Sequence, residues 1–190
     1  GLLTPGSVQW MTAGRGIVHS EMPKMDKGLM RGFQLWVNLP AEKKMMEPRY
    51  QDILPEDIPV VQDESEKVRV LAGCYKDTEG PVKDIVASPL LLDVTLAADK
   101  QFSVETPTNH AFFAYLFEGS ALLDDEVITA PRCFVYSTGD KLEFASSKDE
   151  SARFLVVGAT PLNEPVVRHG PFVMNTKQEI MQAFSDYHSG

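Results

Sequence analysis

The sequence predicts an all-β fold that ends in one α-helix. Short runs rich in Val, Leu, Phe and Tyr recur at close spacing, and Gly, Asp and Pro residues separate them. The chain holds 13 Gly and 13 Pro among its 190 residues, as expected where many strands are joined by turns. This arrangement is typical of a β-sandwich or barrel. Only the residues after 175 follow a helical pattern.

The first predicted elements lie before residue 40. A turn at residues 4–6 leads into a strand at 8–10, and the glycines of a second turn, at 13–16, can adopt a positive φ. A short strand carrying His19 and Glu21 follows. Residues 31–39 alternate between apolar side chains on one face and Gln, Trp and Asn on the other, which predicts a half-buried strand.

The middle of the chain separates this region from a longer run of predicted strands. Residues 46–66 are polar and interrupted by Pro48, Pro55 and Pro59, which indicates a connector. Gly119, Asp124–Asp125 and Gly139–Asp140 mark later turns. The predicted strands lie at residues 68–71, 90–96, 111–117, 120–123, 133–136, 142–145 and 153–157.

The C-terminal helix is predicted from a capping signal and an apolar stripe. Thr176 and Glu179 have the spacing of a capping box, with Thr at the N-cap and Glu at N3. The apolar side chains that follow at helical spacing are Ile180, Ala183, Phe184 and Tyr187. We therefore predict a helix over residues 177–187.

Net charge, motifs and apolar runs argue against several classes of function. The 27 acidic and 18 basic residues give a net charge of −9, which disfavours direct binding to phosphate backbones. No phosphate loop, Gly-x-Ser-x-Gly or zinc pattern occurs. Cys74 and Cys133 are far apart and are expected to be part-buried thiols in a reducing compartment. With no apolar run long enough for a membrane span, we expect a soluble, cytoplasmic protein, or a nuclear one in a eukaryote.

His19 and Glu21 are the candidate metal ligands. Side chains two apart on a strand project to the same face, so an imidazole nitrogen and a carboxylate oxygen would converge there. These donors suit non-haem iron or a similar divalent metal. Taken alone, a His-x-Glu pair on a strand is more often a surface or hydrogen-bonded pair, and two ligands rarely complete a metal site.

The segment around this pair resembles a known family. Residues 9–23, Gln-Trp-Met-Thr-Ala-Gly-Arg-Gly-Ile-Val-His-Ser-Glu-Met-Pro, are similar to the signature segment of the pirin family, and residues 32–40, 47–51 and 164–176 resemble further pirin blocks in the same order. The resemblance implies a bicupin, two jelly-roll-type β-barrels, whose N-terminal cupin holds iron through three histidines and one glutamate. Only His19 and Glu21 carry over, because the family's upstream His-Pro-His-Arg-Gly has no counterpart in this sequence.

The resemblance also implies a division of the chain. Residues 1–45 would be the closing part of an incomplete N-terminal cupin, residues 46–66 the connector, and residues 67–190 the C-terminal cupin with a crossing segment and the helix. The second barrel is expected to lack a metal, since His110 has no second histidine two residues away. An incomplete first barrel would expose unpaired strand edges, which predicts a dimer.

Two functions follow from the resemblance. One is a quercetin 2,3-dioxygenase, in which Fe(II) binds a flavonol and dioxygen, His19 is a neutral ligand, and Glu21 is both ligand and catalytic base. Trp10, Phe33 and Trp36 would then line a flavonoid pocket or belong to the core. The alternative is a regulatory binding protein, a transcriptional cofactor or modulator of a metabolic enzyme, which needs a protein partner in place of a substrate.

Overall fold

The computed structural model describes residues 2–24 and 27–189, and most of its regular structure is β-sheet. Contacts divide the chain into two compact units, the first formed by Gly1–Trp10 and Gln51–Pro161 and the second by Met11–Tyr50 and Leu162–Gly190. The elements are β1 (Val8–Thr12), β2 (Arg49–Ile53), β3 (Val60–Gln62), β4 (Glu66–Ala72), β5 (Cys74–Tyr75), β6 (Thr78–Glu79), β7 (Leu90–Leu96), β8 (Gln101–Glu105), β9 (Ala111–Leu123), β10 (Glu126–Thr129), β11 (Arg132–Val135), β12 (Lys141–Ser146), β13 (Ala152–Ala159), β14 (Val167–His169), β15 (Phe172–Met174) and the helix α1 (Lys177–Ser189), with 3-10 turns at Ala41–Lys43 and Pro55–Asp57. The predicted class, all-β with a C-terminal helix, is confirmed.

The first unit is built on a nine-stranded sheet. Its strands run in the order β3-β4-β7-β13-β9-β12-β8, and β10 and β11 also pair with β9. Each pairing in this sheet is antiparallel. The central strand β13 pairs with β7 on one side and with β9 on the other. Strands β3, β8 and β10 of this sheet are additions to the strands predicted from the sequence, and β3 lies in the segment predicted as a connector.

One face of this sheet carries a core of stacked aromatic rings. Phe144 stacks on Phe154 with ring centroids 3.9 Å apart, and Phe102 meets Phe154 edge to face at 5.5 Å. Tyr75 stacks on Phe102 at 5.6 Å. Buried Val and Leu side chains of β4 and β7 complete this core. The inner face of the first unit is therefore filled by apolar groups in close contact.

Gly119 does not form the turn that the sequence predicts. Instead the strand continues through it, so the two segments predicted at 111–117 and 120–123 form the single strand β9. Gly119 has a φ of +76°, and the register of β13 against β9 shifts between Arg153 and Phe154, beside it. This shift passes over Phe117 in the register of β9, so a bulge two residues before Gly119 interrupts the ladder without ending the strand. The predicted turn at Asp124–Asp125 is confirmed, and both residues have positive φ.

The helix prediction is confirmed in the second unit. Thr176 Oγ1 accepts a hydrogen bond from the Glu179 N–H at 3.2 Å, and Glu179 Oε2 accepts one from the Thr176 N–H at 2.7 Å. This is the reciprocal pairing of a capping box. The apolar stripe buries Ile180, and Phe184 packs edge to face on Phe172 at 4.9 Å. The helix continues to Ser189, two residues beyond its predicted end.

Three sequence expectations are wrong. Neither the segment carrying His19 and Glu21 nor residues 31–39 forms a strand, because no strand among the described residues pairs with either segment. Without that pairing Phe33 and Trp36 are 45% and 61% exposed. Cys74 and Cys133 are exposed where part-buried thiols were expected.

Among the described residues, no helix has the length and apolar character that a membrane crossing requires.

Candidate metal centre

His19 and Glu21 lie side by side in the second unit, on an irregular segment that follows β1. His19 Nε2 is 3.7 Å from Glu21 Oε1, and the two side chains are 37% and 65% exposed. This distance is longer than a hydrogen bond, so the two side chains lie close together but are not hydrogen-bonded to each other. The sequence prediction that these two groups converge is met, although an irregular segment and not a strand brings them together.

A tight turn anchors the start of this segment. The Gly16 N–H donates to Ala13 O at 3.0 Å, and the Arg15 N–H donates to Met46 O at 2.9 Å. Gly14 has a φ of +51° and lies against the Met46 carbonyl, where a Cβ atom would clash. Glycine is therefore required at this position by both conformation and space. The turn ties the segment before His19 to residues 46–47 of the same unit.

Gln34 is a third member of the site that sequence reasoning missed. Its Nε2 donates a hydrogen bond to Glu21 Oε1 at 3.2 Å. The His19 contact involves the same oxygen, and Oε2 makes no polar contact with another described residue. Gln34 therefore orients the carboxylate with Oε2 left open, as the outer-shell partners of metal ligands do. The only sequence signal was its place on the polar side of the alternation in residues 31–39.

The imidazole of His19 and the carboxylate of Glu21 are donor types that suit a divalent transition metal, but two ligands do not complete a metal site. Metal bonds to His nitrogen and carboxylate oxygen of about 2.0–2.2 Å allow two ligands of one ion to lie up to about 4.4 Å apart. The 3.7 Å separation of His19 and Glu21 is therefore compatible with a shared ion. Among the described residues, no group of three or more His, Cys, Asp or Glu side chains is placed to hold a metal. Within the described part of the chain, His19 and Glu21 are therefore the two candidate ligands at this position.

A buried lysine fixes the segment that carries Gln34. Lys44 is 6% exposed, and its ammonium donates to Asn38 Oδ1 at 2.7 Å and to Val173 O at 3.2 Å. Burial lowers the pKa of Lys44, while the carboxylates of Glu164 and Glu179 act in the opposite direction. Asn38 lies four residues after Gln34, so the lysine holds one end of this extended segment.

His110 and Trp10, which were also singled out from the sequence, have structural contacts. His110 Nε2 is hydrogen-bonded with Thr160 Oγ1 at 2.9 Å, and its ring stacks on Phe112. Trp10 packs against an apolar cluster of the first unit that includes Leu71 and Leu91, so it belongs to that core. Phe33 and Trp36 are exposed in the second unit. Trp10 belongs to the first unit, and Phe33 and Trp36 belong to the second.

Comparisons with known proteins place these features in context. The family model described as the pirin C-terminal cupin domain matches residues 91–190, and the model described as pirin matches residues 1–37. These matches confirm the resemblance and the cupin fold predicted from the sequence.

Individual relatives agree with the family models. A "Pirin-like protein" of Solanum lycopersicum is 42% identical over 194 residues, covering 100% of this chain and 66% of that protein. A Pseudomonas aeruginosa protein named "Putative quercetin 2,3-dioxygenase" is 43% identical over 198 residues, covering 100% and 69%. The crystal structure of a quercetin 2,3-dioxygenase from Acinetobacter baumannii is 28% identical, with a TM-score of 0.79 over 97% of this chain and 66% of that one. The chain thus spans about two thirds of the length of these proteins.

Proposed function

Because this chain belongs to the pirin family, we propose that it takes part in quercetin 2,3-dioxygenase chemistry at a divalent metal site that His19 and Glu21 help to form. The observation that carries the proposal is the 3.7 Å approach of His19 Nε2 to Glu21 Oε1 on an exposed segment. The likeness to a solved quercetin 2,3-dioxygenase supports the choice of substrate class. The metal proposed is Fe(II), which accepts mixed imidazole and carboxylate ligands.

His19 and Glu21 have different parts in this proposal. A bound Fe(II) ion would supply Lewis acidity and open coordination positions for the flavonol and dioxygen. His19 would contribute a neutral imidazole nitrogen. Glu21 would accept the proton of the flavonol hydroxyl at Oε2, because Gln34 already donates to Oε1. The side-chain amide of Gln34 would hold the carboxylate in that orientation throughout. The remaining coordination positions would be filled by solvent or by a second copy of this chain.

Metal content and turnover of three variants test the proposal together. We expect the wild-type chain, loaded with Fe(II) and dialysed, to retain about one iron per chain and to consume quercetin with dioxygen. His19→Ala and Glu21→Gln should lose both properties. His188→Ala is the matched control, since His188 lies at the exposed end of α1 and should change neither. An iron-free wild-type chain without turnover would refute the enzyme proposal.

A second candidate function, regulatory protein binding, is favoured by exposed apolar side chains near the site. Leu35 and Trp36 are 40% and 61% exposed in a segment without a strand partner. The net charge of −9 favours a protein partner over a nucleic acid.

The predicted dimer is tested by light scattering: a dimer that Trp36→Ser dissociates would support self-association through this segment. A monodisperse wild-type monomer would contradict it.

A further inference from the structure

A row of polar side chains crosses the first unit on the sheet face opposite the aromatic core. Lys67 on β4 lies directly opposite Thr95 on β7, and Thr95 lies opposite Arg153 on β13. Two residues further along each strand, Arg69 on β4 lies opposite Asp93 on β7. Neighbouring side chains of the same strands, such as those of Val68 and Val94, point into the core. The pleat therefore places three basic groups on one surface, two from β4 and one from β13, with β7 between these strands.

The two arginines of this row are held in fixed positions by a buried carboxylate. The Asp93 side chain is 7% exposed and accepts hydrogen bonds from Arg69 Nη1 at 3.2 Å and from Arg153 Nε and Nη2 at 3.1 and 2.9 Å. Arg69 also donates to the Gly6 carbonyl, and the Arg153 guanidinium lies 5.1 Å from the centre of the Phe117 ring. Such a pre-oriented guanidinium loses little further entropy when it binds a ligand.

These residues surround a cavity whose charge differs from that of the whole chain. Its volume is about 230 Å³, and it is lined by Lys67, Arg69, Asp93, Thr95 and Arg153. The lining carries three positive charges and one negative charge, whereas the chain as a whole carries −9. Glu118 lies opposite Arg153 on β9, outside the lining, and its carboxylate attracts the Arg153 guanidinium. The cavity is therefore a local electropositive site on an acidic protein.

Lys67 and Thr95 are the groups in this cavity that are free to bind. Both are exposed, and the Lys67 ammonium makes no hydrogen bond or ion pair with another described residue. Arg153 uses Nε and Nη2 toward Asp93, which leaves Nη1 as a further donor. An ammonium, a hydroxyl and a guanidinium N–H around one small cavity match the acceptor oxygens of a phosphate group.

We propose that this cavity binds a phosphate group, free or carried by a small organic molecule, between Lys67, Thr95 and Arg153. Asp93 acts by positioning the two arginines and does not contact the ligand. Since the lining residues belong to the first unit, this proposal does not depend on the metal site proposed at His19 and Glu21.

The proposal is tested by NMR titration of the full 190-residue chain with inorganic phosphate at constant ionic strength. We expect saturable shifts of the backbone amides of Lys67, Thr95 and Arg153. Lys67→Gln should weaken binding about tenfold, because it removes the unpaired cation, and Thr95→Val about threefold. Lys100→Gln is the matched control, an exposed lysine of the same unit, and should bind as the wild type does.

Two results would overturn the proposal: wild-type shifts that do not saturate, or equal affinities of Lys67→Gln and Lys100→Gln. Either would leave Arg69, Asp93 and Arg153 as a structural clamp. The thermal midpoint of Lys67→Gln should equal that of the wild type, which separates lost binding from lost folding. A parallel titration with glycerol 3-phosphate identifies the source: tighter binding than inorganic phosphate indicates an organic phosphate ligand, and equal binding indicates free phosphate.

Discussion

Gln34 Nε2 donates a hydrogen bond to Glu21 Oε1 at 3.2 Å, although the two residues are 13 positions apart and neither lies in a strand. The bond connects the candidate metal ligand to an extended segment that Lys44 holds through Asn38. A site without strand pairing thus depends on side-chain contacts for its geometry.

Gln34→Leu should weaken metal binding while the fold is retained. The substitution removes the amide that orients Glu21, and loss of an outer-shell partner of this kind reduces metal affinity about 10–100-fold. Fe(II) or Co(II) affinity measured by competition with a chelator checks this. Gln178→Leu, which alters an exposed helix position, is the control. Equal affinities of the two variants would show that Gln34 has no role in positioning.

Lys44→Met should destabilise the protein by about 1–3 kcal/mol, because Asn38 Oδ1 and Val173 O would lose a buried donor. Methionine has a similar length, so the loss reports the polar contacts more than the packing. Urea unfolding of this variant and of Lys43→Met, at the exposed neighbouring position, provides the comparison. A Lys44→Met variant as stable as Lys43→Met would contradict a structural role for the ammonium.

The capping box predicts a loss of stability in acid. Hydrogen bonds from Thr176 and Asn175 lower the pKa of Glu179 below its ordinary value of 4.5. A carboxylate whose folded pKa is lowered stabilises the folded state above its unfolded pKa, and that contribution is lost as the pH falls through the folded pKa. The thermal midpoint of the wild type should therefore fall more steeply below pH 4.5 than that of Glu179→Gln. Parallel curves for the two proteins would rule out this contribution.

Gly119→Ala should destabilise the first unit by more than about 2 kcal/mol. The φ of +76° disfavours alanine, and its Cβ would clash with the Ser151 carbonyl oxygen. Gly139→Ala is the matched control, since an added Cβ there is 3.8 Å from its nearest neighbour, Lys141 O, and the glycine has no positive φ. Chemical unfolding of both variants checks the difference. Similar stabilities would mean that the strand relaxes around Gly119 without cost.

Features that depend on residues close together in the sequence can be predicted from the sequence. The capping box at Thr176 and Glu179, the helix that follows it and the turn at Asp124–Asp125 all formed as predicted. Strands in the nine-stranded sheet were also located correctly where apolar runs were strong, as at Leu90–Leu96. The sequence alone does not identify the role of Gly119, because glycine is common in turns and beside bulges, and the register of the partner strand decides between them.

The sequence by itself determined the β-rich class, the capped helix, the family and the candidate ligands His19 and Glu21, because each rests on local spacing or on a continuous motif. Only the tertiary structure decided that residues 31–39 form no strand, that Gln34 orients Glu21, and that Lys67, Thr95 and Arg153 share one cavity. These outcomes depend on pairing and contact between residues distant in the chain. Local sequence patterns do not specify which strands lie beside one another. Strand order determines both how deeply a segment is buried and which side chains come into contact.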